Sequence, residues 1–352
     1  MTGEMAVSPE GIRKKRADNP KMRERDLART LGISEAELIA AHCGVSATRI
    51  EPRVPEFLNG MEAVGSVMAL TRNESAVHEK IGVYENASAS ERNAIVLGKD
   101  IDLRIFPKQW AHAFAVEKRV EDTTRHSLQF FDEAGDAVHK VHLRPESNFE
   151  AYRALVDKLI SPNQEPGITV QPISTDGKAE EADGSVSEVL RERWSKMQDV
   201  HQFVGILRTL NLTRRQAVHL VGEEFAWPLD GVSVPVMFER AAEQETPIMC
   251  FVGNRGCIQI HSGPVANVKP LGPWLNVMDP TFHLHLRLDH LMELWAVRKP
   301  VKEGHVTSLE AYDANGRMVI QFFGKRHEGQ DELADWRTLM EDLPRIARSS
   351  AA

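Results

Sequence analysis

What the chain lacks narrows it first. Its 352 residues include only three cysteines, Cys43, Cys250 and Cys257. They form no CxxC and no close grouping with histidine, which argues against a disulfide framework and a thiolate zinc site. Positive charge is not in excess: 43 Lys and Arg stand against 51 Asp and Glu, giving a net charge of -8 and a pI near 6.0. A general nucleic-acid binder would show a basic footprint instead. No apolar run is long enough to span a bilayer, and the opening residues, MTGEMAVSPEGIRKKR, have no hydrophobic signal core. Membrane insertion is therefore not expected, and a reducing cytoplasm is the expected compartment. No GxSxG, P-loop, HExxH or GxGxxG sequence stands in a supporting context. No dedicated redox-cofactor motif appears, and no βαβ rhythm.

What is present begins with a core: 42% of residues are hydrophobic and 27% charged, as in a folded soluble protein. The length suits two domains or one large duplicated one, and the text itself repeats. RTLGIS at 29–34 returns as RTLNLT at 208–213, 179 positions later. Ala115, Val116, Lys118, Val120, Ser127, Leu128, Asp132, Gly135 and Val138 all recur 181 positions later, from Ala296 to Val319. Arg153 and Leu155 recur as Arg337 and Leu339, 184 positions later. Short strands alternate with turns in each copy: Asp132–Gly135, Gly253–Gly256 and Asp313–Gly316 carry hairpin signals. The expected fold is α+β, a tandem duplication in which each half is an antiparallel β-sheet with flanking helices. The expected boundaries are 1–160 for the first repeat, 161–186 for a Pro-, Gly- and acid-rich linker, and 187–352 for the second. LARTLGISEAELIAA, with Ser34 and Glu37 as a capping box, reads either as a packed helical pair or as a DNA-binding helix-turn-helix. Thr213 and Gln216 repeat the capping signal.

Candidate chemistry centres on Trp194–Arg215. Asp199 and Gln202 read as the N-cap and N3 pair of a helix carrying apolar Val200, Phe203, Val204, Leu207 and Leu210. His201 then sits in its first turn, and Gly205, one turn on, cannot cover the imidazole. A helix N-terminus disfavours imidazolium, and the neutral ring is the metal-ligating form. The alternative is a histidine hydrogen-bonded at a helix edge. The repeat puts Met22 where the second copy has His201, so this histidine belongs to one copy only. His283, His285 and Arg287 should share one strand face, equally suited to solvent or to a metal. His78 reads as exposed. Cys250 and Cys257 alternate with apolar residues and read as buried and structural.

An ordered set of motifs runs nearly the whole chain: VHEKIGVYEN at 77–86, IDLRIF at 101–106, DVHQF at 199–203, TRRQA at 213–217, FVGNRGC at 251–257, WLNVMDPTFHLHL at 274–286, VRKP at 297–300, VTSLEAYDANG at 306–316 and FFGKRHEG at 322–329. In these the chain resembles the hemin-degrading factor and haem-trafficking family. The resemblance implies a duplicated antiparallel fold and haem (iron protoporphyrin IX) as ligand. It implies His201 as the iron ligand, Arg104 as a distal residue of carrier or catalytic use, and Arg214, Lys299, Gln321 and Arg326 beside the propionates. Phe323 stands where related sequences often have Tyr, so a hydroxyl donor is missing there. His78 matches a histidine implied as a second haem contact. The implied function is cytoplasmic haem handling for iron acquisition, by carriage and by degradation that releases iron. A haem ABC importer and a haem oxygenase or reductase are the implied partners. The competing class is a helix-turn-helix transcriptional regulator or interaction protein.

Overall fold

The structure, a computed structural model, describes residues 8–172, 186–326 and 329–346. It divides into two compact units, residues 1–72, 79–174 and 253–259 in the first, and 73–78, 175–252 and 260–352 in the second.

The first unit opens with three short helices, α1 (Pro9–Asp18), α2 (Glu24–Leu31) and α3 (Glu35–Ala40). Gly32 ends α2 at a φ of 68°, a left-handed C-cap that glycine adopts freely. Ser34 and Glu37 form the expected capping box. The chain then runs through β1 (Ala47–Ile50), α4 (Val54–Val64), β2 (Val67–Arg72), β3 (Ala76–Gly82), β4 (Ala87–Ala89), β5 (Ala94–Leu97), β6 (Asp102–Ile105), β7 (His112–Val120), β8 (Thr123–Phe131), β9 (Ala137–Leu143) and α5 (Phe149–Leu159). Strands pair antiparallel in the order β1-β7-β8-β9-β2, and β4-β5-β6 form a smaller antiparallel set.

The second unit repeats the pattern. It holds α6 (Ser187–Ser195), α7 (Gln202–Leu210), α8 (Arg214–Leu220), β10 (Ala226–Leu229), α9 (Ser233–Glu243), β11 (Ile248–Gly253), β12 (Cys257–Gly263), β13 (Val268–Leu271), β14 (Trp274–Met278), β15 (Phe282–Arg287), β16 (Glu293–Val301), β17 (Gly304–Tyr312), β18 (Met318–Gly324) and α10 (Ala334–Glu341). The antiparallel order is β10-β16-β17-β18-β11, with β13-β14-β15 as the smaller set. Even the irregularities match: register slips between Phe130 and Phe131 and between Ala311 and Tyr312, 181 positions apart. Strands β3 and β12 are divided between the units.

In each unit the larger sheet is covered on both faces. In the second, Leu309, Ala311 and Phe322 pack with α9 and α10, while Val297 and Tyr312 pack with α6, α7 and α8. That explains why β8 and β17 end in runs of consecutive buried residues instead of alternating. Trp336 of α10 lies so close to Gly324 that a Cβ there would come within 2.5 Å of its ring, so this crossing requires glycine.

One of two open readings is decided here and two expectations change. Helix α3 buries Glu35, Ala36, Leu38, Ile39 and Ala40, so the helix-turn-helix signal is a packed pair with no recognition helix to offer, and the regulator reading falls. Residues 161–172, read as the start of a linker, dock on the first unit. Gln164 exchanges two hydrogen bonds with the Arg49 backbone, at 2.9 and 2.8 Å, and Ile168 packs on the α1–α3 core. Polar composition concealed that docking; residues 173–185 lie outside the described residues. Asp199 does not cap α7: the helix begins at Gln202 with His201 at its N-cap, and the Gln202 side chain accepts from Gln198 N at 2.8 Å.

Each unit also contains a hairpin tip from the other half of the sequence. Asn73, in the second unit, accepts from Ser75 N and Ala76 N through Oδ1 and donates to Val319 O at 2.8 Å. Asn254, in the first, accepts from Gly256 N and Cys257 N and donates to Val138 O at 2.8 Å and Arg72 O at 2.9 Å. Asn254→Ala removes four hydrogen bonds from a half-buried turn. Its unfolding free energy should fall by about 2 kcal/mol in urea denaturation; a loss under about 0.5 kcal/mol would show that the turn does not depend on this side chain.

Candidate functional site

The second unit gathers most of the candidates. Helix α7 is capped by His201, whose side chain is 84% exposed. Asp199 fixes it twice, its Oδ1 accepting from the His201 backbone N at 2.7 Å and lying 2.6 Å from Nδ1. The backbone donor, the His201 ring and the nearby Arg326 guanidinium hold the Asp199 carboxyl below its usual range. A carboxylate on Nδ1 selects the tautomer that carries its proton there, leaving the Nε2 lone pair for a ligand. One turn on, a Cβ at Gly205 would meet nothing beyond its own helix within 4 Å, and the imidazole itself stands exposed.

Two residues past His201, Phe203 is buried and links the helix to a cluster of charge. The Arg214 guanidinium lies 4.9 Å and the Lys299 ammonium 5.0 Å from its ring centre. Arg214 opens α8, whose Thr213–Gln216 capping box forms as expected. Lys299 comes from β16, and Gln321 from β18 directly opposite Glu310 of β17. All three donate to one atom, Glu310 Oε1: Arg214 Nη1 at 2.9 Å, Lys299 Nζ at 3.0 Å and Gln321 Nε2 at 3.0 Å. Ser308 Oγ joins them at 3.0 Å, and Tyr312 OH donates to Oε2 at 2.7 Å.

Glu310 is fully buried. Burial alone would raise its pKa, but Lys299, Arg214 and the Tyr312 hydroxyl outweigh it and hold the carboxyl at about 2. Burial pulls Lys299 below the usual lysine value, against the attraction of Glu310. Beyond the cluster on β18 and β11, half-buried Phe323 and Phe251 pack edge-on with ring centres 5.1 Å apart. They add an aromatic surface where a phenol is absent.

The remaining candidates separate. Arg326 follows β18, half-buried, with Nη1 3.4 Å from Gln330 O. His78 is buried rather than exposed, 5.0 Å from the Phe282 ring, because β3 alternates inward at that position. Arg104 belongs to the first unit, on β6, its guanidinium paired with Asp102. Cys250 and Cys257 are fully buried, and burial raises both thiols, Cys257 to about 12. His283, His285 and Arg287 do share a face of β15, where Arg287 pairs with Asp289. Among the described residues no group of three His, Cys, Asp or Glu side chains could hold a metal ion. One exposed histidine backed by a carboxylate, open space beside it, an aromatic surface and clustered carboxylate-binding donors suit a metallo-macrocycle that brings its own equatorial ligands. They do not suit a bare ion.

Sequence reading missed Glu310, the acceptor at the centre. The signal was there: position 310 is Gln129 in the first copy, so a charge enters a strand buried on both faces in one copy only. The departure from the repeat that singled out His201 also applied to it.

The family model for the haemin-degrading HemS/ChuX domain matches residues 32–159 and again 211–343. The hemin transport protein HemS of Yersinia enterocolitica is 41% identical over 323 residues, covering 92% of this chain and 93% of that one. The structure of holo-PhuS, a haem-binding protein from Pseudomonas aeruginosa, superposes with a TM-score of 0.91 at 40% identity, covering 96% of this chain and 98% of that one. ChuS, an E. coli haem oxygenase, gives a TM-score of 0.84 at 35% identity, covering 94% and 99%.

The depressed Glu310 carboxyl sets a pH dependence. Its folded pKa, about 2, lies below its ordinary 4.5. It therefore stabilises the fold above pH 4.5, and that contribution is lost as pH falls through the folded value. The shift corresponds to about 3 kcal/mol. Glu35 in the first unit, held at about 2 by Lys140 and Arg72 against the upward push of burial, acts over the same window. Urea midpoints should fall steeply between pH 4.5 and 2. A flat profile down to pH 3 would mean that neither carboxylate is held below its ordinary range in the fold.

Proposed function

The chain belongs to the haemin-degrading HemS/ChuX family, whose domain it carries twice, and from that membership we propose that it binds haem as cargo in the cytoplasm, in support of haem use as an iron source. The observation that carries the reading is His201, exposed, with Asp199 on Nδ1 and open space at Gly205. Nε2 of His201 ligates the iron. Arg214 and Gln321, next to the partly exposed Phe323, bind the propionates by charge-assisted and neutral hydrogen bonds, with Lys299 and Arg326 adding positive charge. His78, being buried, is not an axial ligand. One protein ligand on the iron suits exchange, and exchange is what a carrier needs. Delivery then runs from an importer to an oxygenase or a reductase-coupled degrading step.

Absorbance titration with hemin tests the ligand. His201→Ala should shift the Soret band and weaken binding, and Asp199→Ala should weaken it by roughly 10–100-fold, the usual effect of removing a ligand's supporting carboxylate. An unchanged spectrum in His201→Ala rules His201 out. Arg214→Ala is the cleaner propionate test, because loss of Lys299 also strands a buried carboxylate. It should cost about 1–3 kcal/mol of haem affinity, a cost that disappears with haem dimethyl ester; equal costs for both forms would place Arg214 in folding alone. Arg104, read from the family resemblance as the distal residue, would donate hydrogen bonds to oxygen on the far face of the haem, and this role has its own measurement. Arg104→Ala should keep the ferric Soret position while changing the products formed under a reductase, air and catalase.

A further inference from the structure

Glu310 has no part in the reading above, and its geometry is over-subscribed. Four donors share Oε1 while Oε2 takes one. An oxygen with two lone pairs cannot satisfy four donors well, so Oε1 can lose one at little cost. The four are not equivalent. The Lys299 side chain is 5% exposed and that of Arg214 30%, while Gln321 is half-buried and Ser308 fully buried. Arg214 reaches Glu310 with a single terminal nitrogen, although a guanidinium can grip a carboxylate with two.

We propose that Glu310 is an internal competitor for the ligand's carboxylate: it holds Arg214 and Gln321 gathered while the site is empty and yields them when an anionic tetrapyrrole binds. The proposal rests on the haem-binding reading and adds to it a specificity-determining residue. Two cations and one carboxylate leave the cluster with a single positive charge to spend on the ligand. The competitor thereby keeps affinity low enough for cargo to leave, and Lys299 stays with Glu310 throughout, so no charge is stranded in the core. The first unit supports the assignment. Its equivalent position is Gln129, buried and donating to Ser127 at 3.1 Å, so an amide fits this register of the sheet.

The test uses the full chain and two iron-free probes, protoporphyrin IX and its dimethyl ester, followed by fluorescence. Neither engages His201 through iron. Glu310→Gln should bind the free acid roughly tenfold tighter than wild type, as expected when a competing charge is removed beside two cations, and bind the ester unchanged. Glu310→Asp, which keeps the charge but draws it back by one carbon, folds more securely and should show a smaller gain, about threefold, again for the acid only. Unchanged or weaker acid binding in both variants overturns the proposal and assigns Glu310 to structure alone. Equal gains for acid and ester overturn it too, since the effect would then be one of shape. Wild type that binds neither probe nor hemin overturns the haem reading itself, a result separable from the others.

Discussion

A strand covered on both faces can hold a charge only if opposite charge arrives with it, because the cost of burying an unpaired ion exceeds the stability of most folds. β17 is such a strand, and Glu310 is its charge. The rest of the second unit's chemistry follows from meeting that condition: Lys299 from the neighbouring strand, Arg214 from the first turn of α8 and Gln321 from the opposite neighbour converge on Oε1 and, with the Tyr312 hydroxyl on Oε2, keep the carboxylate ionised. Phe203 then packs under both cations and carries their position to the start of α7, where His201 stands. The candidate site and the core thus share residues.

The first unit solves the same packing problem with the charges exchanged. There the helix supplies the acid, Glu35 of α3, and strand β9 supplies the base, Lys140, with Arg72 beside it. Position by position, Glu35 stands where the second copy has Arg214, and Lys140 where it has Gln321. The fold requires that helix and sheet be joined by opposite charge, and it leaves open which element carries which sign. That freedom lets one copy carry its cation on the helix, where Arg214 is partly exposed, while the other keeps its lysine on the strand and buried. Met22, equivalent to His201, packs against the α1–α3 core, so the copies also differ at the histidine, which stands exposed in the second.

Much of this was legible. Constant spacing between Ala115 and Ala296, or Gly135 and Gly316, gave away the duplication, since turns and two-sided strands constrain residue type strongly. Both capping boxes were readable because each is a local contact three residues long. His201 stood out as a departure from the repeat. All but one of the failures have one cause, that a contact made far away in sequence leaves no local trace; the Asp199 contact, two residues long, is the exception. The docking of residues 161–172 depends on Arg49, more than a hundred positions earlier. The burial of His78 depends on what covers β3. Asp199 resembles a helix cap by spacing, yet its carboxylate turns to the very histidine it was expected to precede. Glu310 looked like one more polar residue of a hairpin until the strands on either side were in place.

The exchanged hairpin tips bear on how the chain comes off the ribosome. The first unit has nearly all its residues once Ser174 has emerged, but it lacks 253–259, with the Asn254 turn and Cys257, the latter part of its core. At about 5–20 residues per second, that piece arrives on the order of ten seconds later. The second unit has its borrowed tip, 73–78, from the outset. Synthesis therefore delays the first half rather than finishing it at once: the half made first is completed only by a piece of the half made last, and neither is a finished unit when cut at the boundary of the repeat.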